Sequence, residues 1–358
     1  MGNYIVSARK YRPQSWDTVV GQKSITNTLQ NAIENDHLAQ AFLFCGPRGV
    51  GKTTTARILA KTINTNSTEV DEDNDFAFNI FELDAASNNS VDDIRQLIDQ
   101  VRIPPQVGQY KVYIIDEVHM LSQAAFNAFL KTLEEPPAHA IFILATTEKH
   151  KIIPTILSRC QIFDFQRISI ADMVAHLENV ASQEGVQAEQ DALHLIAQKA
   201  DGGMRDALSI FDQMVSFSGD QLTYNDVIRN LNILDYDYYF KTTEALISHS
   251  ITDALLAFND VLEKGFDGHL FINGLTAHFR NLLVCKDSAT LPLLEVGENI
   301  KAKYAEQSEL ASQRFLLDAL TLGSSCDYRY KSSKNQRLLV ELTLMQMGSI
   351  GVDPEKKK

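Results

Sequence analysis

From Ala41 to Phe165 short apolar runs alternate with segments of helical spacing. Ala-Phe-Leu-Phe-Cys at 41–45 predicts a buried strand, and Asn-Ile-Phe-Glu-Leu at 79–83 a second. The runs at 111–115, 140–146 and 161–165 add three more. Between them, 53–63, 91–101 and 122–133 carry helical spacing. In the last, Phe126, Phe129, Leu130 and Leu133 share a face. Strands alternating with helices build a parallel sheet covered on both sides.

Beyond Gln166 the strand signal disappears. Segments 169–184 and 191–200 read as amphipathic helices, and 206–217 follows the Gly202-Gly203 break. Together they predict a small helical unit. From about Leu222 to Gly348 the pattern stays helical, with Pro292 its one proline. Leu246, Leu255, Phe258, Leu262, Phe271, Leu275 and Phe279 supply apolar faces. The expected divisions are 1–167, 168–221, 222–350 and a tail at 351–358. The tail is polar, ends in three lysines and is expected to be disordered. Thr65–Asp75 is polar and acidic and predicts an exposed loop. No internal repeat is visible.

Composition narrows the class. The 358 residues accommodate two or three domains at roughly 100–200 residues each. No apolar run approaches the roughly 18 residues of a membrane span. Met1–Lys10 lacks the apolar core of an export signal, so a cytoplasmic protein is expected. Cys45, Cys160, Cys285 and Cys326 are widely separated and form no CxxC pair. That argues against a disulfide framework and a cysteine zinc site. A net charge of −13 opposes nonspecific DNA binding by this chain alone.

Gly46-Pro47-Arg48-Gly49-Val50-Gly51-Lys52-Thr53 matches the phosphate-binding P-loop pattern in full, between a predicted strand and a predicted helix. Glycines let backbone N–H groups turn inward around phosphate oxygens. The start of the following helix, Thr54 included, adds unpaired N–H groups. Lys52 brings a full charge, and Thr53 offers a hydroxyl to Mg²⁺. The second element is Asp116-Glu117 at the end of an apolar strand. Asp116 is placed to hold Mg²⁺, and Glu117 to orient and activate water. Two adjacent acids at a strand end can also be a solvated turn, but strand ends of α/β sheets are where ligands bind. A positioned base argues for hydrolysis.

Further motifs occur in a familiar order. Ala8-Arg9-Lys10-Tyr11-Arg12-Pro13 and the segment from Trp16 through Val20 to Gln22 come first. Leu83–Ser90, Asp116–Leu121, Leu133–Pro137, Ala145–Thr147, Ser158–Cys160 and Gly202–Leu208 follow. Together they resemble the gamma/tau ATPases of bacterial DNA polymerase III clamp loaders, of the AAA+ class, specifically from about Ser7 to Phe217. The resemblance implies an α/β RecA-like AAA+ domain, a helical lid and an all-α collar. It places Arg9, Tyr11, Arg12, Pro13 and Val20 beside the adenine. Thr147, with Thr146 as the alternative, matches the sensor of the γ-phosphate. Arg205 matches the second sensor, the alternative being a surface arginine at a helix start. Arg159 matches an arginine finger acting on a neighbour's ATP, the alternative being an intrachain salt bridge.

The family's four-cysteine zinc module falls at Thr65–Asp75, which has no cysteine and no histidine. Tetrahedral thiolate ligation is impossible there, so zinc is expected to be absent. Asn88-Asn89-Ser90 stands where the family often has a basic residue. Ser87, Asn88, Asn89 and Arg95 remain candidates for DNA contact, with helix capping the alternative. The implied cofactors are ATP and Mg²⁺. The implied partners are delta and delta-prime subunits, further copies of the chain, the sliding clamp and primer–template DNA, with no membrane. A branch-migration motor, a noncatalytic ATP-binding scaffold and a small-molecule P-loop kinase are the competing readings.

Overall fold

The computed structural model describes residues 5–65, 79–106 and 108–351. The acidic loop beyond Thr65 and the tail beyond Gly351 lie outside the described residues. The chain divides into two compact units. One comprises Met1–Gly185 with Ile196–Gln213, the other Val186–Leu195 with Met214–Lys358. Segment 168–221 contributes to both.

The first unit is built on five parallel strands, in the order β2-β3-β4-β1-β5. They are β1 (Ala41–Cys45), β2 (Ile80–Asp84), β3 (Lys111–Asp116), β4 (Ala140–Thr146) and β5 (Gln161–Asp164). Alternation of side chains splits the apolar residues between two faces. Leu43, Tyr113, Ile115, Phe142 and Leu144 pack against α4 (Val91–Val101) and α5 (Gln123–Glu134). Phe42, Phe44, Ile114, Ile141 and Ile143 pack against α2 (Lys23–Glu34) and α3 (Lys52–Thr65). β1 and β4 are buried throughout, because sheet neighbours and helices cover them on every side. Edge strands β2 and β5 are half open, and their observed limits shift by one residue from those expected.

Serines set the helix starts. Ser90, Ser122 and Ser169 accept from Asp93 N, Ala125 N and Asp172 N, capping α4, α5 and α7 (Ile170–Glu184). Two helices were not foreseen, α1 (Ser7–Lys10) and α2. Between them the Trp16 indole N–H donates to Thr62 Oγ1 of α3 at 3.1 Å. The unit also contains α6 (Pro154–Leu157) and parts of α8 (Gln190–Lys199) and α9 (Met204–Ser218).

The second unit carries seven further helices among the described residues. They are α10 (Tyr224–Asn230), α11 (Tyr236–Ile247), α12 (Ile251–Glu263), α13 (Gly268–Val284), α14 (Glu298–Leu310), α15 (Gln313–Tyr330) and α16 (Gln336–Gly348). Strand signal does not end at Gln166, as the sequence suggested. The pairs β6 (Gln187–Ala188) and β7 (Gln221–Leu222) join in parallel, too short to show an alternating pattern. Phe258, Phe271, Leu275, Phe279, Leu316 and Leu344 form the core.

A linked set of buried polar side chains crosses that core. His278 is 1% exposed, and its ring nitrogens meet Tyr304 Oη and Gln307 Oε1, each at 2.9 Å. Burial pulls the imidazole pKa down to about 4, with the Gln307 hydrogen bond opposing. An unfolded histidine titrates near 6.5. Between pH 6.5 and 4 the unfolded chain therefore binds a proton that the folded chain refuses. Stability is fully present above this window and falls as pH drops through it, by roughly 3 kcal/mol. Urea titrations at several pH values should show that slope, and His278→Gln should flatten it. An unchanged slope would place the titration elsewhere.

Candidate functional site

β1 ends at Cys45, and a glycine loop turns the chain into α3. Gly46 has φ +145°, and a Cβ there would lie 2.4 Å from the carbonyl oxygen of Phe165. No side chain fits. Lys52, 6% exposed, opens α3, and its ammonium donates to the carbonyls of Gly46 at 2.8 Å and Pro47 at 2.7 Å. Burial lowers its pKa, while Glu117 and Asp116 pull it back up.

β3 delivers the acids. Asp116 Oδ2 accepts from Thr53 Oγ1 at 2.6 Å, and Oδ1 accepts from the Glu117 backbone N–H at 2.9 Å. Glu117 itself is left-handed, φ 48°, a conformation costing a non-glycine residue about 1–2 kcal/mol. Its Oε2 accepts from Thr147 Oγ1 at 3.1 Å.

A cavity of about 180 Å³ opens over this arrangement. Arg48, Gly49, Val50, Gly51, Lys52, Thr53, Thr54, Asp116 and Glu117 line it with Tyr11, Arg12, Pro13 and Val20. Arg205 joins them from α9, its backbone N–H donating to Gly49 O at 3.4 Å. A Cβ on Gly49 would meet Gly203 Cα at 3.3 Å, so glycines on both sides permit the approach.

The residues present fit a magnesium nucleotide. Thr53 and Asp116 pair a hydroxyl with a carboxylate, oxygen donors suited to Mg²⁺ alongside phosphate and water. Below the loop, Thr55 Oγ1 is buried without a hydrogen-bond partner, and Gly51 has no other heavy atom within 4 Å of a would-be Cβ.

Other expected residues border this cavity or lie apart from it. Gly46 and Pro47 line a separate open concavity with Thr147, Lys149 and Asp164. Arg9 lines neither space. Thr147 touches the main site through Glu117, whereas Thr146 is fully buried. Arg159, between α6 and β5, donates to Thr155 O and to Glu134 Oε1, each at 2.6 Å. The intrachain ion pair is thus formed, with the arginine side chain 30% exposed.

Ser90 caps α4, while Ser87 N, Asn88 N and Asn88 Nδ2 all donate to Asp84 O. Arg95 pairs with Asp92. The Asp84, Ser87, Asn88 and Ser90 groups close the β2–α4 turn, while the arginine pairs within α4. Among the described residues no cluster of histidine, cysteine or acid is arranged for a metal, and no helix is long and apolar enough to cross a membrane. The zinc expectation concerns a stretch that lies outside the described residues beyond Thr65.

Sequence reasoning missed Ala8, Val19, Ile168, His176, Met204 and Leu208 in the cavity wall. Most are apolar and read as core. His176 is the one that a close reading could have marked, an imidazole between Val174 and Leu177 on α7.

A parallel sheet in this order, with a glycine loop after β1, an acidic pair after β3 and an arginine brought to the loop by α9, defines a P-loop domain of the AAA+ class. The Thermotoga maritima RuvB Holliday junction branch migration motor shares the fold, with TM-score 0.50 and 20% identity. That likeness covers 66% of this chain and 79% of RuvB. Family models described as "DNA polymerase III, delta subunit" and "DNA polymerase III clamp loader subunit, ATPase lid domain" match residues 21–169 and 172–220. DNA polymerase III subunit gamma of Buchnera aphidicola is 33% identical over 98% of this chain and 99% of that protein. Subunit tau of Bacillus subtilis is 42% identical over 96% of this chain and 63% of its own length, and tau of Escherichia coli 39% identical over 74% and 43%. The chain belongs to the gamma/tau family of DNA polymerase III subunits and spans less than two thirds of the tau relatives.

Proposed function

We propose that the chain is the ATP-hydrolysing subunit of a clamp loader, using ATP binding and hydrolysis to load a sliding clamp onto primed DNA. The observation that carries this reading is the joined Thr53–Asp116 pair beside Lys52, with Glu117 next in sequence. Lys52 offsets phosphate charge as the loop N–H groups close around it. Thr53 and Asp116 hold Mg²⁺, which supplies further charge neutralisation when bound. Glu117 orients the attacking water and takes its proton. Arg205 reads the nucleotide from α9, Thr147 senses the γ-phosphate beside Glu117, and Arg159 serves a neighbouring subunit.

The three-part division at 1–167, 168–221 and 222–350 is retained in this reading, supported by the lid model at 172–220. The collar gathers copies of the chain with delta and delta-prime. At −13 net charge the grip on primer–template DNA belongs to the assembly. The two nucleotide states differ in their affinity for clamp and DNA, and that difference does the work. The polymerase active site belongs to another chain, and the whole acts in the cytoplasm.

The test is ATP turnover by this chain mixed with delta and delta-prime, with and without clamp and primed DNA. Stimulation by both together is expected. Translocation along duplex DNA without a clamp would instead identify a branch-migration motor. Binding of ATP without turnover in any mixture would identify a scaffold.

A further inference from the structure

We propose that His119 is a positioning residue for Glu117, tying its carboxylate to Glu148 and so to the turn that leads toward Arg159. The inference rests on Glu117 acting as the base. A glutamate in a left-handed conformation is not steered by a regular element, so its carboxylate must be fixed by what it touches. Two side chains reach it by hydrogen bond or ion pairing. Thr147 Oγ1 donates to Oε2 at 3.1 Å, and His119 Nδ1 lies 3.4 Å from the same oxygen. The imidazole is anchored in turn, with Nδ1 3.0 Å from Thr146 Oγ1 at the tip of β4. Its other nitrogen, Nε2, lies 3.4 Å from Glu148 Oε2.

The ring is 8% exposed and stands between two carboxylates. An apolar residue would fill that space without the desolvation of a polar ring. What an apolar residue cannot do is join Glu117 to Glu148. The 3.4 Å separations are looser than full hydrogen bonds, a state that tightens when a catalytic carboxylate takes up its substrate. Glu148 is held as well. Its N–H donates to Thr146 Oγ1 at 3.0 Å, and its carboxylate pairs with Lys151. Lys149–Lys151 form a 3-10 turn, which runs through Ile152 and Ile153 into α6 and Arg159. A shift of the surface bearing Arg159 is therefore passed to Glu117 through two side chains.

The test uses the chain assembled with delta, delta-prime, clamp and primed DNA. His119→Leu keeps volume and removes both nitrogens. It should lower kcat roughly 10- to 100-fold, the range typical of residues that orient a ligating or reacting group, with ATP affinity unchanged. His119→Asn places an amide where Nδ1 was and should recover most of the loss. Glu148→Gln, on the exposed turn, should lose less, and the double variant should be no worse than His119→Leu alone, because both act through one link. Wild-type kcat in His119→Leu, beside an inactive Glu117→Gln, would overturn the positioning role alone. Asparagine no better than leucine would reduce His119 to packing, and additive losses would remove Glu148 from the link. Full hydrolysis by Glu117→Gln would overturn the underlying reading. Should the His119 variants fail to fold, Glu148→Gln with wild-type kcat would still refute the link.

Discussion

Mixing Arg159→Ala protein with Glu117→Gln protein is expected to restore ATP hydrolysis that neither shows alone. Arg159 lines neither cavity of its own domain. Its guanidinium is held at the surface by Glu134 and the carbonyl of Thr155. An ion pair that exposed is worth at most about 1 kcal/mol, so a neighbour's γ-phosphate can outcompete it. Charge meeting charge in the transition state is worth roughly 10³–10⁵ in rate in comparable phosphoryl transfers. Arg159→Ala should bind ATP, assemble and hydrolyse slowly, the deficit falling on the neighbour's site. In mixed rings some interfaces pair an intact Glu117 with an intact Arg159, and those recover. If mixed assemblies form and stay inactive, Arg159 is a structural partner of Glu134 and nothing more.

Lys52→Ala and Glu117→Gln should fail in different ways. The Lys52 ammonium is buried and already satisfied by two loop carbonyls. Phosphate binding adds a charge-assisted bond worth about 1.5–3 kcal/mol, or roughly ten- to a hundredfold in affinity. Removing the side chain also leaves the Gly46 and Pro47 carbonyls without their donor, so the loss of ATP binding should sit at the upper end. Glu117→Gln keeps the shape and the Thr147 contact, removes the base, and should hold ATP unhydrolysed. Equal losses of ATP affinity in both variants would sink this division of labour.

What the sequence disclosed follows the strength of local constraint. β1 and β4 were legible to the residue because every position in them is buried. β2 and β5 drifted by one because edge positions mix exposures. β6 and β7 carry no periodic signal at all. The glycine loop and the acidic pair were legible because each is a contiguous motif, and the sheet order then brings Thr53 to Asp116 across 63 residues of chain. The cavity wall was not, since Val19, Ile168 and Leu208 line it with the same kinds of atoms that fill cores elsewhere. Arg9 shows a related limit, since it does not line the cavity. Membership of a motif does not say which way a helical residue faces, and α1 contributes Ala8 to the cavity but not its neighbour.

The chain has one tryptophan. Trp16 hands its indole proton to Thr62, two turns and more along the helix that Lys52 begins. Its ultraviolet emission therefore responds to that helix and to the apolar cluster of α2, α3 and the sheet against which the ring packs. The unlabelled protein carries its own optical gauge of α3, the helix that follows the phosphate loop, and Trp16→Phe is its blank.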